Sequence, residues 1–392
     1  MAGETGLSDA LPAPALHIEP APAVLDVPVV LFAFNRPAYL ERVCASLLNQ
    51  RGFTLDPRRV FLLQDGAVSP RTGLRYAEDA EVAASIAAFR THFPRGQVSA
   101  APHNIGIAAN IRRGEILAFE AVNADCALFF EDDLELGPDY LRIMGELRAL
   151  SDRDPRIGYF AAYGDHEAQP PGPEAWLTML QHHWAFGLRR EPWRRLRDWL
   201  APYDRILEET DYAWRDHLAI FRWMETLEVA GGFSSQDAVK TLGCHALGIA
   251  RVMTDVCFAR YIGAQGASFR DEKFREMGYD RMNWVEGPQY HLAEDAGTQV
   301  SAILGDSRKR HEFFRQVKLP KLLEEQGRIR LDRDRPATRE DVTALFRLLL
   351  DRVPEETALE SMAERQTVRQ VRETILASRE FRGRTPRFRV AG

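Results

Sequence analysis

The 392-residue chain is 45% hydrophobic and 28% charged, ordinary for a globular protein of two or three domains with a sizeable core. Its net charge of −6 lacks the basic balance of a nucleic-acid or anionic-membrane binder. Four dispersed cysteines without a CxxC pair exclude the usual zinc spacings and read as small core residues in a reducing compartment. No run reaches the roughly 20 apolar residues of a membrane span.

Residues 1–26, rich in Ala and Pro, read as a disordered leader without the basic and apolar regions of a signal peptide, so a cytoplasmic location is expected. "VPVVLFAFN" (27–35) is a buried strand, followed by a helix beginning at Pro37. "RRVFLLQDG" predicts a second strand and "AEVAASIAAFRTHF" a second helix. "GQVSAAPHN", "GIAANIRRGEILAFEAV" and "CALFFEDD" continue the alternation as strand, helix and strand. Strands that are apolar throughout and alternate with helices predict an α/β, Rossmann-like sheet covered on both faces. Further along, "GYFAAYGDH" reads as a strand and "HHWAFGLRREPWRRLRDWL" as a strand or loop entering an amphipathic helix. This main domain is expected over 27–330, and the charged, helical pattern of 335–392 predicts a small all-α module.

In such sheets ligands bind at the carboxyl ends of the strands. Polar signals fall there: Arg36 after the first strand, Asp65 and Gly66 after the second, Glu131, Asp132 and Asp133 after the fourth. Asn104 and Gly106 open the third helix, whose N–H groups favour an anion. Desolvating three adjacent acids is unfavourable unless a cation or hydrogen-bond donors compensate. A hard ion, Mn2+ or Mg2+, that shares carboxylates with substrate phosphates suits the cluster. Each signal also has a plainer reading: solvated acids at a strand end, Asp65 as a turn-former, and glycines that only permit tight turns.

Taken in order, "FNRPAYLERVCASLL", "LLQDG", "HNIGIAANIRRG" and "FFEDDLELGPDYL" resemble nucleotide-sugar glycosyltransferases of the GT-A fold, most of all the N-acetylglucosaminyltransferase I family and its bacterial relatives. The resemblance spans about 27–290 and is strongest over 29–140. It implies a mixed sheet flanked by helices and a DXD-type acidic motif. It also implies transfer of a hexosyl or N-acetylhexosaminyl group, with inversion, from a nucleotide-diphosphate sugar to a hydroxyl of a glycan, lipid-linked or protein acceptor. By position, Asp65 would lie beside the nucleotide base, Arg36 near the nucleotide and its phosphates, and Glu131 and Asp132 at sugar and ribose hydroxyls. Asp133 would bind the metal, Asn104 and Gly106 would allow close approach of the nucleotide, and Arg113 would lie nearby. Asp237, in "GGFSSQDAVKTLG", occupies the region of the family's catalytic Asp, although Ser and Gln replace the neighbouring Trp and second Asp. It reads equally as a first-turn helix acid, with Asp211 and Asp216 in reserve.

"HHWAFGL" resembles the segment walling donor and acceptor, which offers Trp184 as a stacking surface or a core residue. His182, His183 and His245 read as metal ligands or as structural histidines. Gly263, Gly266 and Ser268 resemble a closing loop over the donor. The terminal module resembles helical domains attached to bacterial surface-glycan enzymes, an element for oligomerisation or a protein partner. Two other classes remain open: a sugar-phosphate nucleotidyltransferase, which would normally carry a Gly-rich phosphate loop after the first strand, and a non-catalytic nucleotide- or glycan-binding protein.

Overall fold

A computed structural model describes residues 23–167, 172–265 and 271–383, with the side chains of 329–332 left aside. Gly266, Ser268 and the basic end of the chain lie outside the described residues. Apolar runs become the strands of an eight-stranded sheet. In chain order these are β1 (Val29–Ala33), β2 (Val60–Gln64), β3 (Gln97–Ala100), β4 (Cys126–Phe130), β5 (Ile157–Ala161), β6 (Leu177–Met179), β7 (Ala185–Arg189) and β8 (Ala250–Thr254). Their spatial order is β6-β8-β5-β7-β4-β1-β2-β3. Strands β1, β2 and β4 are buried along their whole length, as an interior sheet with both faces covered requires.

Leu31 of β1 stands opposite Leu62 on one side and Phe130 on the other, all parallel. The chain segments that follow β1, β2 and β4 therefore leave the sheet along one edge. β7 runs antiparallel between β4 and β5, with Ala185 opposite Phe130. That reversal brings the residues preceding β7 to the same edge, where Trp184 O accepts a hydrogen bond from Glu131 N at 2.7 Å. The sheet is thus mixed rather than wholly parallel.

Helices cover both faces. Phe32, Phe129 and Phe186 pack in a row on one face, with Phe32 and Phe129 at 6.1 Å and Phe129 and Phe186 at 5.3 Å. Helix α1 (Pro37–Leu48) follows β1, α2 (Asp79–His92) follows β2 and α3 (Gly106–Ile116) follows β3; α3 lies on the Phe32 face, its Gly114 directly over that ring. On the opposite face Phe130 meets Tyr140 of α4 (Tyr140–Arg153) at 6.2 Å. Helices α5 (Arg190–Leu207), α6 (His217–Glu225) and α7 (Gln236–Ala246) follow β7 and lead into β8.

Ala23–Leu25 forms a short strand paired with Phe53–Leu55, with Leu25 buried. A second, smaller core of Ala337, Val342, Phe346, Leu350, Val371 and Ile375 belongs to the terminal helices. Two of these begin with reciprocal caps, Thr338 with Asp341 and Thr367 with Gln370. They touch the larger body where Arg372 lies over Trp214 at 5.0 Å and Arg369 pairs with Asp334 at 2.9 Å. No helix among the described residues is long and apolar enough to cross a membrane.

Candidate active site

Arg36 and the acids after β4 meet at the sheet edge. The guanidinium forms a short ion pair with Asp132 and another with Asp133 Oδ2 at 2.9 Å. Burial opposes its charge, but the two carboxylates more than offset this and raise its pKa. Tyr261 adds its hydroxyl to Asp133 Oδ2 at 3.4 Å, and Ile262 N donates to Asp133 O at 2.8 Å. Asp133 Oδ1 is buried without a partner. The Glu131 carboxylate makes no hydrogen bond or ion pair with the described residues.

Two of the three carboxylates thus share one guanidinium, and the third pairs with none among the described residues. Burial, reinforced by Asp133, Asp237 and Asp132, raises the Glu131 pKa well above its ordinary value. Burial likewise pushes Asp132 from 3.8 to about 6, against the pull of Arg36. The cluster lacks positive charge, and an orphaned buried oxygen on Asp133 is where a cation would relieve it. Among the described residues no three His, Cys, Asp or Glu side chains are grouped to hold a metal ion. A single buried carboxylate oxygen without a partner fits an ion that takes one or two carboxylates and fills its remaining positions with water and substrate phosphate, as Mg2+ and Mn2+ do.

A carboxyl whose pKa is raised on folding contributes stability that is fully present below its unfolded value and lost as pH rises through its folded value. For Asp132 that window runs from 3.8 to about 6. In metal-free protein, the stability advantage of the native chain over Asp132→Asn is expected to shrink between these limits, by no more than about 3 kcal/mol. Thermal melts of both proteins across pH 4 to 7 measure it.

Asp237 faces this cluster from the first turn of α7, with its side chain 43% exposed. Its Oδ1 accepts a short hydrogen bond from Gln236 Nε2 and lies 3.5 Å from His183 Nδ1. Burial alone would raise the Asp237 pKa, but His183, Lys240 and His182 outweigh it and hold it below the ordinary value. Oδ2 makes no hydrogen bond or ion pair with the described residues. Tyr212, on the turn before α6, accepts a hydrogen bond from Gln236 N at 2.9 Å and so fixes the start of α7.

No family model matches the chain. No curated protein matches it either. Among solved structures it is similar to a mannosyltransferase from Pyrobaculum calidifontis in complex with GDP-Man and Mn2+, at 12% identity and TM-score 0.39, covering 77% of this chain and 73% of that one. It is similar also to an active-site mutant of LgtC, at 14% identity and TM-score 0.31 over 71% and 96% of the two chains. A CMP:2-keto-3-deoxy-manno-octonic acid synthetase complexed with CTP follows, at 13% identity and TM-score 0.33 over 66% and 99%. All three scores lie below 0.5.

The other expected residues make contacts within the scaffold. Asp65 receives N–H groups from Gly66 at 2.8 Å, Ile105 at 2.8 Å and Gly106 at 3.0 Å, so the anion at the start of α3 is the protein's own. Asn104 Nδ2 joins it, donating to Asp65 Oδ2 at 3.2 Å and Gly66 O at 3.0 Å. Gly106 adopts φ +78°, and a Cβ there would stand 2.8 Å from Tyr212 Cβ. Gly106→Ala is expected to cost about 1–3 kcal/mol, read as a lowered midpoint in urea, because it combines strain with a clash. Arg113 donates to Asn110 Oδ1 at 2.9 Å and Ser99 Oγ at 2.9 Å, which ties α3 to β3.

Of the two readings open for Trp184, the packing favours the core residue. Its indole is sandwiched between Tyr261 at 4.1 Å and His182 at 4.2 Å, both nearly parallel to it. With both faces covered it offers no surface for a sugar to stack on; it supports Tyr261 behind Asp133. The reserve acids also have local duties. Asp211 accepts from Ser69, Thr72 and Tyr76 hydroxyls, and Asp216 caps α6 through Ala219 N at 2.9 Å. His245 stacks on His311 at 4.5 Å. Gly263 does border the acids: a Cβ there would lie 2.7 Å from Asp133 Oδ2.

Proposed function

We propose that this chain is a nucleotide-sugar glycosyltransferase of GT-A type. It uses Mn2+ or Mg2+ at Asp133 and transfers a hexosyl or N-acetylhexosaminyl group, with inversion, to an acceptor hydroxyl deprotonated by Asp237. The observation that carries the reading is the charge imbalance of Glu131, Asp132 and Asp133 against Arg36, with Asp133 Oδ1 orphaned and buried. A bound cation would supply charge stabilisation for the departing diphosphate. Arg36, now paired with Asp132 and Asp133, would supply positive charge to those phosphates if a cation took over Asp133. Glu131, whose carboxyl makes no hydrogen bond or ion pair with the described residues, is placed to hydrogen-bond a sugar or ribose hydroxyl.

On the facing side, Asp237 is ionised at neutral pH, and its Oδ2 is the oxygen left to accept the acceptor's proton. The strand-end acids and this single facing carboxylate support direct displacement; an arrangement that made a covalent intermediate would need a nucleophile on the donor side. Thermal-shift screening of nucleotide sugars with Mn2+ tests the donor, since a ligand bound only by the folded state raises the melting temperature. Release of nucleoside diphosphate from a hit supports the reading, and release of pyrophosphate from a sugar phosphate and a nucleoside triphosphate overturns it in favour of nucleotidyltransfer.

A further inference from the structure

Behind Asp237 the polar groups do not stop at the surface. His183 is 1% exposed, edge-on to Tyr159 at 5.2 Å and to Phe186 at 5.4 Å. Apart from the 3.5 Å approach of Nδ1 to Asp237, neither ring nitrogen has a hydrogen-bond partner. Tyr159 is fully buried beside it with its hydroxyl unpartnered. Arg251, paired in register with Tyr159 across β5 and β8, is 5% exposed, and its Nε and Nη2 are unpartnered. Gln236 Oε1 is orphaned too. These atoms make up six of the eleven buried orphan polar side-chain atoms among the described residues, and their residues are linked pairwise: Gln236 and His183 to Asp237, Tyr159 to His183, and Arg251 to Tyr159. Buried polar atoms without partners are costly and a core of this kind normally replaces them with apolar groups, so their concentration behind one carboxylate marks a functional constraint.

We propose that His183 is a positioning residue for Asp237: its Nδ1–H steadies Oδ1, and Arg251, set behind it without a carboxylate of its own, keeps the carboxylate anionic with Oδ2 turned outward. The role rests on Asp237 being the base of the reaction proposed above. Charge balance supports it from each packed element. Glu131 at the end of β4 repels the Asp237 charge, whereas Lys240 on α7 and Arg251 on β8 favour it. Lys240 is already committed to Glu115 in a buried pair, which leaves Arg251 as the uncommitted positive group. Burial and Arg251 lower the His183 pKa to about 4, so the imidazole is neutral at pH 7 and holds Asp237 as a hydrogen-bond donor. His182 is likewise neutral and hydrogen-bonds Tyr279 at 3.0 Å, while Tyr203 and Tyr212 close the site as uncharged phenols.

Three substitutions test this: His183→Phe, which keeps the ring without nitrogens, His183→Asn, which restores a donor near Nδ1, and Arg251→Met. His183→Phe is expected to lower kcat at least tenfold with donor KM unchanged, and His183→Asn to recover most of it. The acid limb of the pH profile should move up by one pH unit or more in His183→Phe and Arg251→Met. Carboxyl carbon NMR of 13C-aspartate-labelled protein, with Asp237 assigned by Asp237→Asn, reads the same ionisation without any turnover. An unmoved Asp237 titration in both variants overturns the proposal whatever the activity. A wild-type chain with no turnover on any donor, but with the titration moved, defeats the transferase reading and leaves the positioning intact. Should His183→Phe not fold, His183→Asn and Arg251→Met still decide the outcome by NMR.

Discussion

Asp237→Asn is expected to lower turnover by about 10²–10⁴-fold while nucleotide affinity stays the same. The amide is isosteric, and its oxygen can still accept the hydrogen bond that Gln236 Nε2 gives to Oδ1, so the turn at the start of α7 persists. What is lost is an anionic Oδ2 able to take a proton. The pKa of Asp237 is held low by His183, Lys240 and His182 against the effect of burial, so the native carboxylate is ionised throughout the neutral range. Removing the charge should therefore reduce kcat and kcat/KM together, the pattern of an interaction made only in the transition state. Asp237→Glu supplies the contrast. It keeps the charge but moves it outward by a methylene, and a misplacement of about 1 Å is enough to cost about 10²-fold. Near-native turnover in Asp237→Asn would remove Asp237 from the chemistry and return it to a first-turn acid of α7.

Much of the sheet could be read from the sequence, because burial on both faces writes itself as unbroken apolar runs: Val29–Ala33, Val60–Gln64 and Cys126–Phe130 need no tertiary information to be recognised. The acids after the fourth strand stood out for the same reason, as charges at the end of a buried run. What stayed hidden depends on contacts distant in sequence. The ion pair of Arg36 with Asp132 joins residues 96 positions apart, and nothing local distinguishes it from a guanidinium waiting for phosphate. Asp65 and the N–H groups of Ile105 and Gly106 looked like two halves of a nucleotide site; folding brings them together, and they satisfy each other. Trp184 in an aromatic segment read equally as a sugar platform or a core residue, and only the distant contacts with His182 and Tyr261 distinguish the two. His183 reads in the sequence only as a metal ligand or structural histidine, not as a neighbour of Asp237. Its place beside Asp237 follows from β7 running antiparallel beside β4, and five apolar-leaning residues carry no mark of strand direction.

Asp133→Ala is expected to abolish cation-dependent donor binding and reduce turnover to background, without unfolding the protein. Its neighbours argue for the second half of that outcome. Asp133 is 4% exposed among acids whose pKa values burial and mutual repulsion have raised, so deleting one carboxylate relieves an unfavourable charge. Arg36 retains Asp132 as a partner, and the Ile262 N–H bond to Asp133 uses the backbone carbonyl, which alanine keeps. The metal-free variant should therefore melt at or above the native temperature. Adding Mn2+ with a nucleotide sugar separates the two proteins. Native chain gains stability as RT ln(1 + [L]/Kd), about 2.7 kcal/mol at a hundredfold excess over Kd, and the variant gains nothing. Calorimetric melts with and without Mn2+ measure both effects in one experiment. Equal cation-dependent stabilisation of the two chains would mean that the ion, if one binds, is held elsewhere, and that the orphaned oxygen of Asp133 reports only strain left by Arg36 and Tyr261 on its other side.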